Sequence, residues 1–153
     1  MNLLQNIKVT PLTRGDTGLA ATNVDATTLV DMSGWDGVLL VTSIVEVTAG
    51  ASTTAVKLVP RHSATNASTA LTDLGSTAQP GDATVSTGDV QKAIIADVYR
   101  PTKRYISASV DKAGAGTSAV GPVIAIQYRG RKAPVTQSST YVYDSHQCIS
   151  PTT

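Results

Sequence analysis

The chain has no phenylalanine, one tryptophan (Trp35), one cysteine (Cys148), one glutamate (Glu46) and two histidines in 153 residues. Each shortage removes a class of explanation. A lone cysteine forbids an internal disulfide and leaves a thiolate zinc site within one chain without ligands. A single Glu and two separated His leave little from which to assemble a general acid–base pair. No apolar run reaches the ~18 residues of a membrane-spanning helix. The N-terminal MNLLQNIKV lacks the basic-then-apolar order of a secretory signal, so the chain reads as one made in cytoplasm. The formal net charge of +1 gives no global field to draw it to nucleic acid or to an anionic membrane. Any electrostatic role therefore has to come from local clustering.

What is present argues for strands. Ser and Thr make up nearly a quarter of the residues, and ten Asp stand against one Glu. Thr and Val suit strands and Asp suits turns, whereas the helix formers Glu, Lys and Gln are scarce. The apolar content is Val, Ala, Ile and Leu, which makes a thin core that requires close approach of backbone layers and gains from burial against other subunits.

Along the chain, residues 7–12 form a short strand before a turn at Arg14-Gly15-Asp16, which reads as turn chemistry and not as an adhesion motif. Residues 24–31 read as one strand. The apolar, β-branched run Val38–Val47 reads as a central strand covered on both faces. Residues 48–54 read as a turn, and 55–59 as its hairpin partner, ended by Pro60. Thin strand signals follow at 71–74 and 83–87. Residues 93–99, 104–110 and 121–128 are clear strands, the last with a bulge near Gly121-Pro122. A short strand at 140–144 precedes a polar tail. About eight strands, punctuated roughly every ten residues and with no helical window, predict an all-β protein, a sandwich or a barrel. Residues 1–135 form its single domain, and 136–153 a C-terminal strand and tail of that domain.

The best local signal is charge. Arg100, Lys103, Arg104, Arg129, Arg131 and Lys132 are six of the twelve basic residues and fall in two short segments. Folding 104–110 and 119–128 as a hairpin around Gly114 would set Arg100 opposite Arg129. Like charges facing one another destabilise a sheet, so something must offset them: Asp97, solvent, or an acidic partner surface. Tyr99, Tyr105 and Tyr128 lie beside these cations, but stacking platforms with a larger positive excess are what nucleic-acid modules show. Trp35, in SGWDG, is either a core plug at a strand entrance or an exposed partner anchor. Asp144, His146 and Cys148 share a strand face by spacing, yet residues two apart rarely bring a thiol, a base and an orienting group together. His62 reads as a solvated loop residue. The Gly114-Ala115-Gly116 loop lacks the lysine and helix of a phosphate loop, and Asp25, Asp31 and Asp36 do not have calcium-loop spacing. No catalytic, metal or cofactor motif emerges.

Three segments carry a resemblance: Asp31-Met-Ser-Gly-Trp-Asp-Gly-Val-Leu, Asp97-Val-Tyr-Arg-Pro-Thr-Lys-Arg-Tyr, and Ala125-Ile-Gln-Tyr-Arg-Gly-Arg-Lys-Ala-Pro-Val. In this order and spacing the chain resembles a group of small structural proteins of tailed bacteriophages, encoded near the major capsid protein and described as cement or decoration proteins. The resemblance spans most of residues 30–135. It implies a β-sandwich or jelly roll on the outer surface of an icosahedral head, with no enzymatic activity and no cofactor. Its partners would be the major capsid protein and itself, as dimer or trimer, bridging capsid subunits. The basic edge, with Trp35, would then meet capsid carboxylates. A carbohydrate-binding jelly-roll module of a receptor-binding apparatus is the other reading.

Overall fold

The computed structural model describes residues 5–15, 23–47, 55–74, 89–113, 118–131, 136–137 and 140. Ten strands run through them: β1 (Ile7–Pro11), β2 (Val24–Asp25), β3 (Val30–Asp31), β4 (Gly37–Val47), β5 (Ala55–Ser63), β6 (Thr72–Asp73), β7 (Ala93–Tyr99), β8 (Tyr105–Ala113), β9 (Ser118–Val120) and β10 (Ile124–Tyr128). One turn of 3-10 helix, Ser68–Ala70, leads into β6.

Two sheets pack face to face. The first has the order β1-β10-β4-β7, with β9 also on β4; the second has β2-β8-β5-β6, with β3 also on β8. All pairings are antiparallel. β2 and β3 act as one broken strand, since both pair with β8. The break is held by the Ser107 hydroxyl, which donates to the Thr28 carbonyl at 2.8 Å. β9 and β10 likewise form one strand, interrupted at 121–123. Eight strands so counted pair first with last, second with seventh, third with sixth and fourth with fifth. That is a long antiparallel hairpin rolled into two sheets, the jelly roll.

The alternation expected of half-buried strands is plain in β7, where Ile94, Ala96 and Val98 are buried and Ala93, Ile95, Asp97 and Tyr99 exposed. The inner faces meet in a core of small residues, with Val38, Leu40, Val56, Leu58, Ile106, Val110 and Val123 fully buried. Burying apolar surface at about 25 cal/mol per Å² is what holds the sheets together.

Three expectations fail. The strand 55–59 does not return on β4; β5 pairs with β8 and β6 in the opposite sheet. Nor do β8 and β10 form a hairpin, since they lie in different sheets. β4 and β5 lie in different sheets, as do β8 and β9, and the Gly/Ala/Thr-rich composition of 48–54 and 114–117 is as compatible with a change of sheet as with a hairpin turn. Third, Pro60 does not end β5, which runs on to Ser63. Its missing N–H costs the β8 ladder nothing, because the position faces β6, where its carbonyl accepts from Leu74 N–H at 2.8 Å.

β4 is central as expected, but only one of its faces is closed. Val38, Leu40, Thr42 and Ile44 are buried, whereas Leu39 and Val41 are half-buried and Val45 is exposed. The strand expected at 83–87, most of that at 140–144, and the trio Asp144, His146 and Cys148 lie outside the described residues.

Candidate functional site

Strands β7 and β10 flank β4 and end at the same level, because Gly37 pairs with Tyr99 on one side and with Tyr128 on the other. The residues that follow, Arg100 and Arg129, therefore emerge at one end of the first sheet. The two basic segments meet through β4 between them, and not through the hairpin that the sequence proposes.

Both arginines have left-handed backbone conformations, with φ of 49° at Arg100 and 54° at Arg129. Such a conformation costs a residue with a side chain about 1–2 kcal/mol. It turns the chain sharply out of each strand. Arg100 N–H donates to the Asp36 carbonyl (2.8 Å), and Arg131 N–H to the Gly34 carbonyl (2.8 Å). The 32–36 turn, closed by Trp35 N–H on the Met32 carbonyl (3.0 Å) with Gly34 at φ 85°, is thus clamped between the two basic segments.

Trp35 is half-buried and packs against the edge of the core. Its ring lies on Gly130, where a Cβ would come within 3.0 Å of it. It also lines two clefts. One, of about 490 Å³, is bounded by Met32, Ser33, Asp36 and the stretch Arg100–Arg104, with Arg131. The other, of about 550 Å³, lies between Lys8, Gly34, Gly130, Arg131 and Thr136. The side chain both closes the core and faces the clefts.

The cations divide into two groups. Arg104 makes a fork with Asp31, through Nε on Oδ1 at 2.9 Å and Nη2 on Oδ2 at 2.7 Å. Ser33 N–H also donates to Asp31 Oδ1. The Arg104 bond first, and the Ser33 bond with it, hold the Asp31 carboxyl below its ordinary range against a burial effect that opposes them. Arg129 Nε lies 3.6 Å from Asp36 Oδ2. In contrast, Arg100, Lys103 and Arg131 have no carboxylate partner among the described residues. Arg100 sits 5.2 Å from the centre of the Tyr99 ring, and Lys103 Nζ donates to Thr72 Oγ1 at 2.9 Å. All three line the first cleft. Lys132 is outside the described residues.

Asp97 makes no ion pair with the arginines among the described residues. Its Oδ1 accepts a 2.6 Å hydrogen bond from Tyr128 Oη. Desolvation first, and the bond to Asp97 second, push the Tyr128 phenol up to about 12. The balancing acids are Asp31 and Asp36. The sequence carried that signal in the DMSGWD segment, where two acids bracket Trp35, but as a calcium-loop test it drew the wrong question. His62 is not a plain solvated residue either. Its Nδ1 is buried without a hydrogen-bond partner among the described residues, and desolvation, with the Lys103 charge, lowers its pKa. Among the described residues no three His, Cys, Asp or Glu side chains gather as a metal site requires.

The arrangement offers cations, ring faces and an open cleft. This is recognition chemistry for carboxylates, with guanidinium forks that suit bidentate pairing. No protein-family model matches the chain, and no curated protein shows significant similarity to it.

Proposed function

We propose that the protein is a non-enzymatic virion component that binds the outer surface of an icosahedral phage head and stabilises it by bridging capsid subunits. The observation that carries the reading is the cleft beside Trp35, where Arg100, Lys103 and Arg131 make no ion pair among the described residues. Cations left unpaired on a surface whose other arginines are neutralised internally fit an acidic protein surface. Two strained arginines framing the same turn support it, because strain tends to persist where function needs the geometry. The resemblance in sequence supplies the capsid itself as the partner. Binding only the assembled shell would stabilise that state by mass action, with avidity from its symmetric array of sites.

The test is co-sedimentation with purified empty heads of the phage that encodes the chain. Occupancy should be lost on Arg100→Glu with Arg131→Glu, and head melting should fall to that of undecorated shells. Unchanged occupancy would remove the cleft from the account. The carbohydrate reading has less support, since among the described residues Trp35 is the only aromatic one lining either Trp35 cleft.

A further inference from the structure

The 32–36 turn joins β3 in the second sheet to β4 in the first, and the two clefts beside it are not independent. Both are lined by Ser33, Trp35 and Arg131. From that shared wall the first cleft opens towards Arg100 and Lys103, and the second towards Lys8. Lys8 lies far in sequence from the two basic segments. Like Arg100, Lys103 and Arg131, it makes no ion pair among the described residues. The strand register gives its distance. Lys8 pairs with Gln127, Gln127 with Val38, and Val38 with Val98, two residues before Arg100. Lys8 is therefore three strand spacings away from β7 across the first sheet, about 14 Å.

We propose that the partner meets this site with a single extended acidic segment laid across both clefts. Its carboxylates meet Arg100 and Lys103 at one end and Lys8 at the other, with Arg131 between them and an uncharged residue over Trp35. The inference rests on the reading of the Trp35 cleft as the place that receives an acidic protein, and it names the form that protein takes there. Span is the first argument. One carboxylate occupies one cleft, whereas about four residues of extended chain, at ~3.3 Å each, cover the distance from β7 to β1. Shape is the second. A wall stands between the two concavities, so a flat folded face rests on the rim. A chain crossing the wall sends successive side chains to different sides. The charge pattern is the third. The carboxylate of Asp36 lines the first cleft among the cations. A nucleic-acid strand carries a phosphate at every nucleotide and would set one against it. A peptide can place a neutral residue there. Single-strand binding also uses several stacking rings, and among the described residues Trp35 is the only aromatic one lining these clefts.

Trp35 is the only tryptophan, so its fluorescence reports directly on the shared wall. The probe is a blocked heptapeptide, a leucine with three glutamates on each side, titrated into the full chain at low salt. Trp35 emission should shift saturably. Lys103→Glu alters the first cleft alone and Lys8→Glu the second alone, and each should weaken binding about fivefold or more. Lys92→Glu makes the same charge change beside Ala93, at the opposite end of β7, and should leave the affinity within about twofold. Far-UV circular dichroism checks the fold of each variant, and Lys8→Gln replaces Lys8→Glu if the latter does not fold. A heptapeptide that leaves Trp35 emission unmoved overturns the proposal. So does an affinity indifferent to Lys8, or tighter binding of a thymidine heptanucleotide. Purified empty heads separate this inference from the capsid reading. Heads that bind the chain without competition from the heptapeptide contradict the extended segment alone. Heptapeptide binding as described, with no uptake of the chain by heads, contradicts the capsid alone and leaves the segment as an acidic arm of another protein.

Discussion

Gly37 and Tyr128 are paired across the first sheet, and the absence of a side chain at one is what lets the other lie across the strand. A Cβ at Gly37 would collide with the phenol ring of Tyr128. Passing over β4 at this point, Tyr128 reaches Asp97 on β7 and ties three strands together just below the basic end. Replacing Gly37 by Ala should therefore destabilise the protein by about 1–3 kcal/mol, the usual scale of overpacking. Chemical denaturation measures it. Tyr128→Phe should cost about 1 kcal/mol, the net worth of one hydrogen bond.

The same phenol predicts an alkaline limit. Its folded-state pKa of about 12 lies above the ordinary 10.0, so the unfolded chain loses this proton first. The stability linked to Tyr128 is complete below pH 10.0 and is lost as pH rises towards 12. Following phenolate absorbance against pH should show one tyrosine titrating late, and Tyr128→Phe should abolish that late phase.

His62 sets a dependence at the other side of neutrality. Its folded pKa is lowered, so the unfolded chain takes up the proton first as pH falls through 6.5. Stability linked to His62 is complete above that value and declines below it. Thermal midpoints measured from neutral pH downward should fall, and His62→Gln should flatten this part of the profile. Removing the neighbouring charge by Lys103→Met should raise the His62 pKa, observable by proton NMR of the imidazole.

Asp31 governs the acid end. Its carboxyl is held below 3.8, so the stability it supplies is present above that value and lost as pH falls through the lower folded one. The pair is well exposed, with 56% of the Arg104 side chain and 42% of the Asp31 side chain accessible, and its worth is correspondingly small. Asp31→Asn should lower the melting midpoint slightly at neutral pH and remove its acid dependence near 3.8.

How much of this was legible in the sequence depends on range. The alternation in AIIADVY placed β7 residue for residue, and Val38–Val47 located the central strand to within one residue. Such patterns are local, because side chains on a strand alternate between faces. Pairing is not local in a jelly roll. β4 meets β7 and β10, while β5 meets β8, so the two hairpins inferred from nearness in sequence were both displaced by crossings between sheets. The convergence of Arg100 and Arg129 comes from Gly37 having a tyrosine on each side, a relation that no window of sequence contains. The split between cations satisfied by Asp31 and Asp36 and those left open was equally hidden, because it depends on how the 32–36 turn is clamped.

That split is the centre of the account, and one comparison tests it most directly: binding of two variants to purified empty heads, measured side by side by co-sedimentation. One carries Arg100→Glu, Lys103→Glu and Arg131→Glu, which reverses the open cations. The other carries Asp25→Asn with Arg61→Gln, which removes an internal pair outside the cleft and leaves the open cations in place. The first should lose the shell, and the second should bind it as the unaltered protein does. Equal binding by the two, whether both bind or both fail, would contradict the assignment of the Trp35 cleft as the surface that meets the capsid.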